Sequence, residues 1–310
     1  MRTRVVFFGS PRFAVPSLQA LRAATYDIAA VVTQPDRPSG RGGRLTPPEV
    51  KVAAQALSIP VLQPLTLKDE AVRAELRCLQ ADLFVVAAYG KILAQAVLDI
   101  PARGCVNVHA SLLPRWRGAS PISAAILAGD RETGVSVMEM AFALDAGPVI
   151  SQRATPILPG DTTGALECRL AQLGAELLAE TLPGWLDGGL AAQPQDAVAT
   201  TYCTQIKKED GWLAASMTAA EAERAVRAYD PWPGAHVVYN GVRLAVRRAE
   251  VVAGKGLPGT VGRAGNVPAI AFREGLLALL EVQRPGGKPI TGAQFLAGER
   301  GLLAPAVGLA

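Results

Sequence analysis

The sequence predicts an α/β protein: a Rossmann-like domain on a mostly parallel sheet, then a smaller OB-like β-barrel domain. Three observations predict it. Residues 83–88 (LFVVAA) form an unbroken apolar run, the pattern of a strand buried on both faces. Strand-like runs alternate with helical periodicity through residue 182, which is how a parallel sheet reads. Beyond residue 234 the period becomes two, and Asn240-Gly241 between apolar runs signals a hairpin.

The elements follow in order. Residues 4–8 form a first strand, and 13–22 carry Phe13, Leu18 and Leu21 at helical spacing. The turn between them, GSPRFA, lacks the GxGxxG of a dinucleotide fold. A second strand, 28–32, leads into QPDRPSGRGGRLTPP (34–48), expected as a long irregular loop. A solvated loop and a loop closing over a phosphate backbone both fit it. Helix 49–57, strand 59–62 and amphipathic helix 69–79 precede the buried strand, which ends at Ala88-Tyr89-Gly90. A strand from Cys105 carries Asn107 and His109 at its end. Helix 122–127, strands 135–140 and 149–154, and a leucine-lined helix 163–182 complete the first domain, 1–189. Residues 190–206, poor in periodicity, read as a linker. In the second domain, 207–310, Thr218 and Glu221 form a capping box before a helix. Five short strands then follow: 237–239, 242–246, 260–263, 269–272 and 276–282.

Composition narrows the class. Half of the 310 residues are hydrophobic, enough for a substantial core. No apolar run approaches the ~18 residues of a spanning helix, and the N-terminal run is too short for a signal peptide. Cys78, Cys105, Cys168 and Cys203 lie far apart with no CxxC pair, so neither a metal site nor a disulfide framework is expected. A cytoplasmic protein with free thiols is the expectation. Residues 1–204 carry equal numbers of basic and acidic side chains, whereas 205–310 carry 13 basic and 9 acidic. A polyanionic partner and a simple solubility bias are both compatible with that excess.

The chemistry concentrates in GCVNVHASLLPRWRGASP (104–121), where two polar side chains end an apolar strand. Asn107 offers an amide N–H to an oxyanion. His109, one of only two histidines, can stabilise that oxygen or move a proton. Asp145, in LDAGPV, can orient the imidazole, or can simply bond its own turn. No serine or cysteine stands in a nucleophile motif such as GxSxG, which favours direct attack by a substrate group.

With these residues in view, the chain resembles the methionyl-tRNA formyltransferases over nearly its whole length. VNVHASLLPRWRGASP and LDAGPV match the signatures of the 10-formyltetrahydrofolate-dependent formyltransferases. FFGSPRFAVPSL, VVTQPDRPSGRGGRLTPPEVK, IKKEDG, AYDPWPGA and VQRPGGKPITGAQFLAG resemble this family in particular. The resemblance implies a catalytic set of Asn107, His109 and Asp145. It implies folate contacts along Ser111, Leu112, Leu113 and Pro114, and at Ala88, Tyr89 and Gly90. It implies 10-formyltetrahydrofolate as co-substrate and initiator methionyl-tRNA as partner, with Arg41 on the acceptor stem and a monomeric enzyme. Arg37, Arg44, Lys207, Lys208 and Arg247 join Arg41 as tRNA candidates on charge and position. Gly43, Gln205, Ala214-Ala215 and Asp230 depart from the family pattern, all outside the catalytic set. The same signature also serves formyltransferases of small acceptors, an amino sugar nucleotide or glycinamide ribotide, and a hydrolase with water as acceptor. The arginine-glycine loop and basic C-terminal third favour tRNA over these.

Overall fold

Residues 2–39, 43–239 and 241–298 are described by a computed structural model. Two compact units emerge. The first comprises Met1–Pro121, Glu132–Pro156 and Glu167–Thr204; the second comprises Ile122–Arg131, Ile157–Leu166 and Gln205–Ala310.

Seven strands form the main sheet of the first unit. Across the sheet they run Val149–Pro156, Glu132–Glu139, Cys105–His109, Leu83–Ala87, Arg4–Gly9, Asp27–Val32 and Val61–Leu62. The five from Cys105–His109 onward are parallel, and the two at the other edge are antiparallel. The chain lays strands outward on one side of Arg4–Gly9, then returns to add Leu83–Ala87 on its other side. That reversal is a topological switch point, beyond which an open α/β sheet leaves a crevice. Ser10 spans it, its hydroxyl donating to the Tyr89 carbonyl at 3.1 Å.

Each face of the sheet is buried by its own set. Val6, Phe8, Phe84, Val86 and Cys105 pack on one face with Leu76, Tyr89, Leu93 and Val97. On the opposite face the helix Thr163–Leu186 lies so close that a Cβ on Gly174 would meet Val108 Cγ1 at 2.8 Å and Val135 Cγ1 at 3.3 Å. This helix outruns its expected end at residue 182. Pro183 sits in the last turn, where its missing N–H forfeits one bond while its carbonyl still accepts from the Asp187 N–H at 3.1 Å.

Residues 34–48 also differ from the irregular loop expected. Arg37–Ser39 and Arg44–Thr46 pair antiparallel, Arg37 opposite Thr46, as a short ribbon. Its base is held by Asp36, which accepts from Lys51 Nζ at 2.8 Å and from Gln63 Nε2 at 2.7 Å. Pro38 hides the strand signal, since proline is at home only on such an edge.

In the second unit the Thr218 box caps the helix Ala219–Ala228. Thr218 Oγ1 accepts from the Glu221 N–H at 3.1 Å, and Glu221 Oε2 accepts from the Thr218 N–H at 2.7 Å. An antiparallel sheet follows, ordered His236–Tyr239, Val242–Val252, Leu276–Gln283, Val267–Ala271 and Val261–Ala264, with Ile290–Thr291 also on Leu276–Gln283. It curls into a half-barrel consistent with the OB-like expectation. Its concave side packs Val237, Leu244, Val246, Leu277 and Leu279 against Ala222 and Val226 of the helix. Tyr239 pairs with Val242, and Gly241 takes φ +74° in the turn between them, as a two-residue hairpin requires. Asn240 lies outside the described residues.

Gly174→Ala tests the close helix–sheet approach. Alanine favours helix by ~1 kcal/mol over glycine, yet overpacking costs ~1–3 kcal/mol, so the variant is expected to melt at lower temperature than the parent.

Candidate active site

In a strand, alternate side chains share a face. Cys105, Asn107 and His109 therefore continue the buried row begun by Phe84 and Val86, their partners across the parallel ladder. Asn107 and His109 are only 8% and 6% exposed. Burying polar groups is costly unless they are satisfied or used. The His109 ring is satisfied on one side: Nε2 lies 3.0 Å from the Trp116 carbonyl. A carbonyl can only accept, so Nε2 carries the proton and Nδ1 is the free lone pair of the neutral ring. The Asn107 amide makes no hydrogen bond among the described residues.

The loop leaving His109 is tied down by the neighbouring antiparallel strand, in which Ser136 stands opposite His109. Ser136 Oγ donates to the Ser111 carbonyl at 2.7 Å and accepts from the Leu113 N–H at 3.0 Å. Gln152 Nε2 donates to the Leu113 carbonyl and to Ser136 Oγ, both at 2.8 Å. Ser111 Oγ donates to the Arg115 carbonyl at 2.6 Å. Ser136 and Gln152 were not among the expected site residues. The signal for Ser136 was there: it is a fully buried hydroxyl inside an otherwise apolar run, GVSVM.

Asp145 arrives from a turn 36 positions further on, with φ +47°. Its Oδ2 accepts from the Gly118 N–H at 2.9 Å, and its Oδ1 stands 3.9 Å from His109 Nδ1. That separation is too long for a hydrogen bond but within ion-pair range once the imidazole is protonated. The ring is thus oriented by the Trp116 carbonyl, while Asp145 faces its other nitrogen.

Residues 1–182 match the family model described as formyl transferase, and residues 205–300 match the formyl transferase C-terminal domain. The methionyl-tRNA formyltransferase of Stutzerimonas stutzeri (strain A1501) is 49% identical, over 93% of this chain and 92% of its own. That of Dechloromonas aromatica (strain RCB) is 48% identical, over 95% of each. The chain belongs to the methionyl-tRNA formyltransferase family.

It is accordingly a formyltransferase enzyme. Among solved structures, the N-formyltransferase from Helicobacter canadensis, in complex with folinic acid and dTDP-3-aminofucose, aligns with TM-score 0.68 at 17% identity. That match covers 92% of this chain and 99% of the other. HypX from Aquifex aeolicus in complex with tetrahydrofolic acid aligns with TM-score 0.61 at 17% identity, covering 96% of this chain and 47% of its own. At such identities the likeness is one of fold.

The residues expected along the folate are placed unevenly. Ala88 and Gly90 are exposed at the strand end, with φ +45° and +81°. Tyr89 between them turns inward: its ring stacks edge-on against Phe8, 5.4 Å between centroids, and burial pushes its phenol up to about 12. Its hydroxyl is buried with no partner among the described residues. Ser111 and Leu113 are buried in the tied loop, with Leu112 and Pro114 half-buried beside them. No helix among the described residues is long and apolar enough to cross a membrane.

The expected tRNA contacts also sort by environment. Arg37 and Arg44 are exposed on the short ribbon, and Arg37 Nη2 reaches Gln34 Oε1 at 3.4 Å. Arg41 lies outside the described residues. Lys207 and Lys208 are exposed, and the Lys207 backbone N–H donates to Asp210 Oδ2 at 2.7 Å. Arg247 is half-buried, and its guanidinium donates to Gln283 Oε1 at 2.6 and 3.1 Å.

Ser136→Ala removes both the donor to Ser111 and the acceptor for Leu113. The orphaned buried N–H costs ~1–3 kcal/mol, and urea unfolding is expected to show that loss together with a fall in formylation turnover.

Proposed function

We propose that Asn107, His109 and Asp145 transfer the formyl group of 10-formyltetrahydrofolate to the α-amino group of methionyl initiator tRNA. The observation that carries this reading is the approach of His109 Nδ1 and Asp145 Oδ1 to 3.9 Å, on the strand face of a buried Asn107 whose amide has no partner among the described residues. A base, an anion to support it and an oxyanion donor are the groups acyl transfer needs.

The neutral amine attacks the formyl carbon and a new C–N bond forms. Negative charge grows on the formyl oxygen, where Asn107 donates its N–H. With Nε2–H committed to the Trp116 carbonyl, Nδ1 of His109 takes the amine proton, and the Asp145 carboxylate stabilises the imidazolium. The bond from carbon to N10 then breaks and His109 returns the proton to N10. Tetrahydrofolate leaves and the ring is neutral again. The sequence leaves His109 between oxyanion donor and proton shuttle; the committed Nε2–H favours the shuttle.

The folate lies against the exposed backbone of Ala88 and Gly90 and along Ser111–Pro114. Residues 1–189 carry the reaction. Residues 207–310 hold the tRNA together with the ribbon arginines Arg37 and Arg44 and with Arg41. No metal takes part.

Loss of one oxyanion donor typically costs ~10²–10³ in rate. Asn107→Ala is therefore expected to lose about that factor in single-turnover formylation, and His109→Ala at least as much, both with a parent-like melting temperature. Near-normal turnover of either folded variant would remove it from the mechanism. Arg41→Ala is expected to weaken use of methionyl initiator tRNA and flatten its salt dependence, leaving folate affinity unchanged. Equal loss of both affinities would give the segment 34–48 a folding role. Faster formylation of an amino sugar nucleotide than of methionyl-tRNA would move the acceptor to a small molecule.

A further inference from the structure

The segment 193–203, expected as part of a linker, runs along the reaction loops. Gln193 exchanges backbone hydrogen bonds with Val149, at 2.7 and 2.8 Å. Gln195 then uses its whole side-chain amide. Its Nε2 donates to the carbonyls of Asp145, at 2.8 Å, and Gly147, at 2.7 Å. Its Oε1 accepts from Arg117 Nε, at 2.9 Å, and Nη2, at 2.7 Å. Further along, Thr201 Oγ1 accepts from the Trp116 N–H at 2.9 Å, and the Thr201 carbonyl accepts from the Arg117 N–H at 2.9 Å. Tyr202–Cys203 pairs in parallel with Arg117–Gly118.

Two of the residues gripped this way, Trp116 and Asp145, have φ of +59° and +47°. That region is unfavourable for any residue with a Cβ and persists only where neighbours impose it. They are also the two residues that face the His109 ring. The Trp116 carbonyl meets Nε2 at 3.0 Å, and the Asp145 carboxylate stands 3.9 Å from Nδ1.

We propose that 193–203 is a strap that positions the reaction centre, with Gln195 and Thr201 as its positioning residues. Thr201 fixes the carbonyl that sets the His109 ring, and Gln195, itself held by Arg117, fixes the turn that carries Asp145. The strap touches neither amine nor folate; it acts through His109 and Asp145, so it rests on the reading of those two as reacting groups. Its loss therefore lowers kcat and leaves folate KM near the parent value.

The test uses the full chain with Gln195→Glu, Thr201→Val and Thr201→Ser. Gln195→Glu keeps a partner for Arg117 but removes both N–H donors to the turn. Thr201→Val removes only the hydroxyl, and Thr201→Ser restores it. Single-turnover formylation, folate KM, melting temperature and imidazole ¹⁵N resonances are measured. The spectrum is simple because the chain has two histidines. Misplacement by about 1 Å costs ~10² in rate, so Gln195→Glu and Thr201→Val are expected to lose about that much kcat, while Thr201→Ser stays near the parent. The His109 resonances shift and those of His236 do not. In an Asp145→Asn background, Gln195→Glu adds little further loss. Parent-like kcat in the folded Gln195→Glu and Thr201→Val variants overturns the strap, as does full additivity with Asp145→Asn. If Gln195→Glu does not fold, the valine–serine pair at 201 decides alone. Parent-like turnover of His109→Ala overturns the reading of the centre and the strap with it; loss there with normal strap variants overturns the strap only.

Discussion

The hydrogen bond from His109 Nε2 to the Trp116 carbonyl governs the arrangement around it. A neutral imidazole has one N–H to give. Giving it to a backbone carbonyl fixes ring angle and tautomer together, and leaves Nδ1 toward Asp145. It also divides the labour of the proposed reaction. A ring whose N–H is taken is a poor oxyanion donor and a good proton acceptor. The amide of Asn107, two residues earlier on the same strand face, is then the N–H left for the oxygen.

That bond depends on where a loop carbonyl points, and loops hold position only when their polar groups are tied. The edge of the sheet supplies the ties. Because Glu132–Glu139 runs antiparallel to Cys105–His109, Ser136 falls opposite His109 itself. A single hydroxyl can then accept from Leu113 and donate to Ser111 as the chain leaves the strand. Gln152, on the next antiparallel strand, reaches the same hydroxyl and closes the network. The site is built where parallel pairing gives way to antiparallel pairing, and the buried Ser136 of the first antiparallel strand is its scaffold.

How legible this was in the sequence depends on the kind of interaction. Asn107 and His109 stand out because they interrupt an apolar strand, and burial makes such an interruption expensive. The Thr218–Glu221 cap and the hairpin glycine Gly241 are legible because local geometry demands those residue types. Tertiary polar contacts carry no such mark. Gln195 sits in a segment of Gly, Ala, Pro and Gln whose lack of periodicity reads as a linker, and only the folded chain brings its amide to the Asp145 turn. The inward turn of the Tyr89 ring is unmarked for the same reason: its partner, Phe8, is distant in sequence. The pairing of Arg37–Ser39 with Arg44–Thr46 was hidden by proline and glycine nearby, residues that usually end strands rather than form them.

The proposed centre handles only a formyl group and an amine, so it does not by itself choose the acceptor. The choice must rest on groups that the catalytic centre leaves untouched. The ribbon has that character. Its base is neutralised internally, Asp36 being shared by Lys51 and Gln63, while Arg37 and Arg44 stay exposed beyond it. A fixed base with guanidinium groups that meet no acidic partner among the described residues presents positive charge outward, the requirement for meeting a phosphate backbone. A small acceptor would gain little from charge held out there. The ribbon is therefore better matched to a polyanion than to any ligand the crevice alone could enclose.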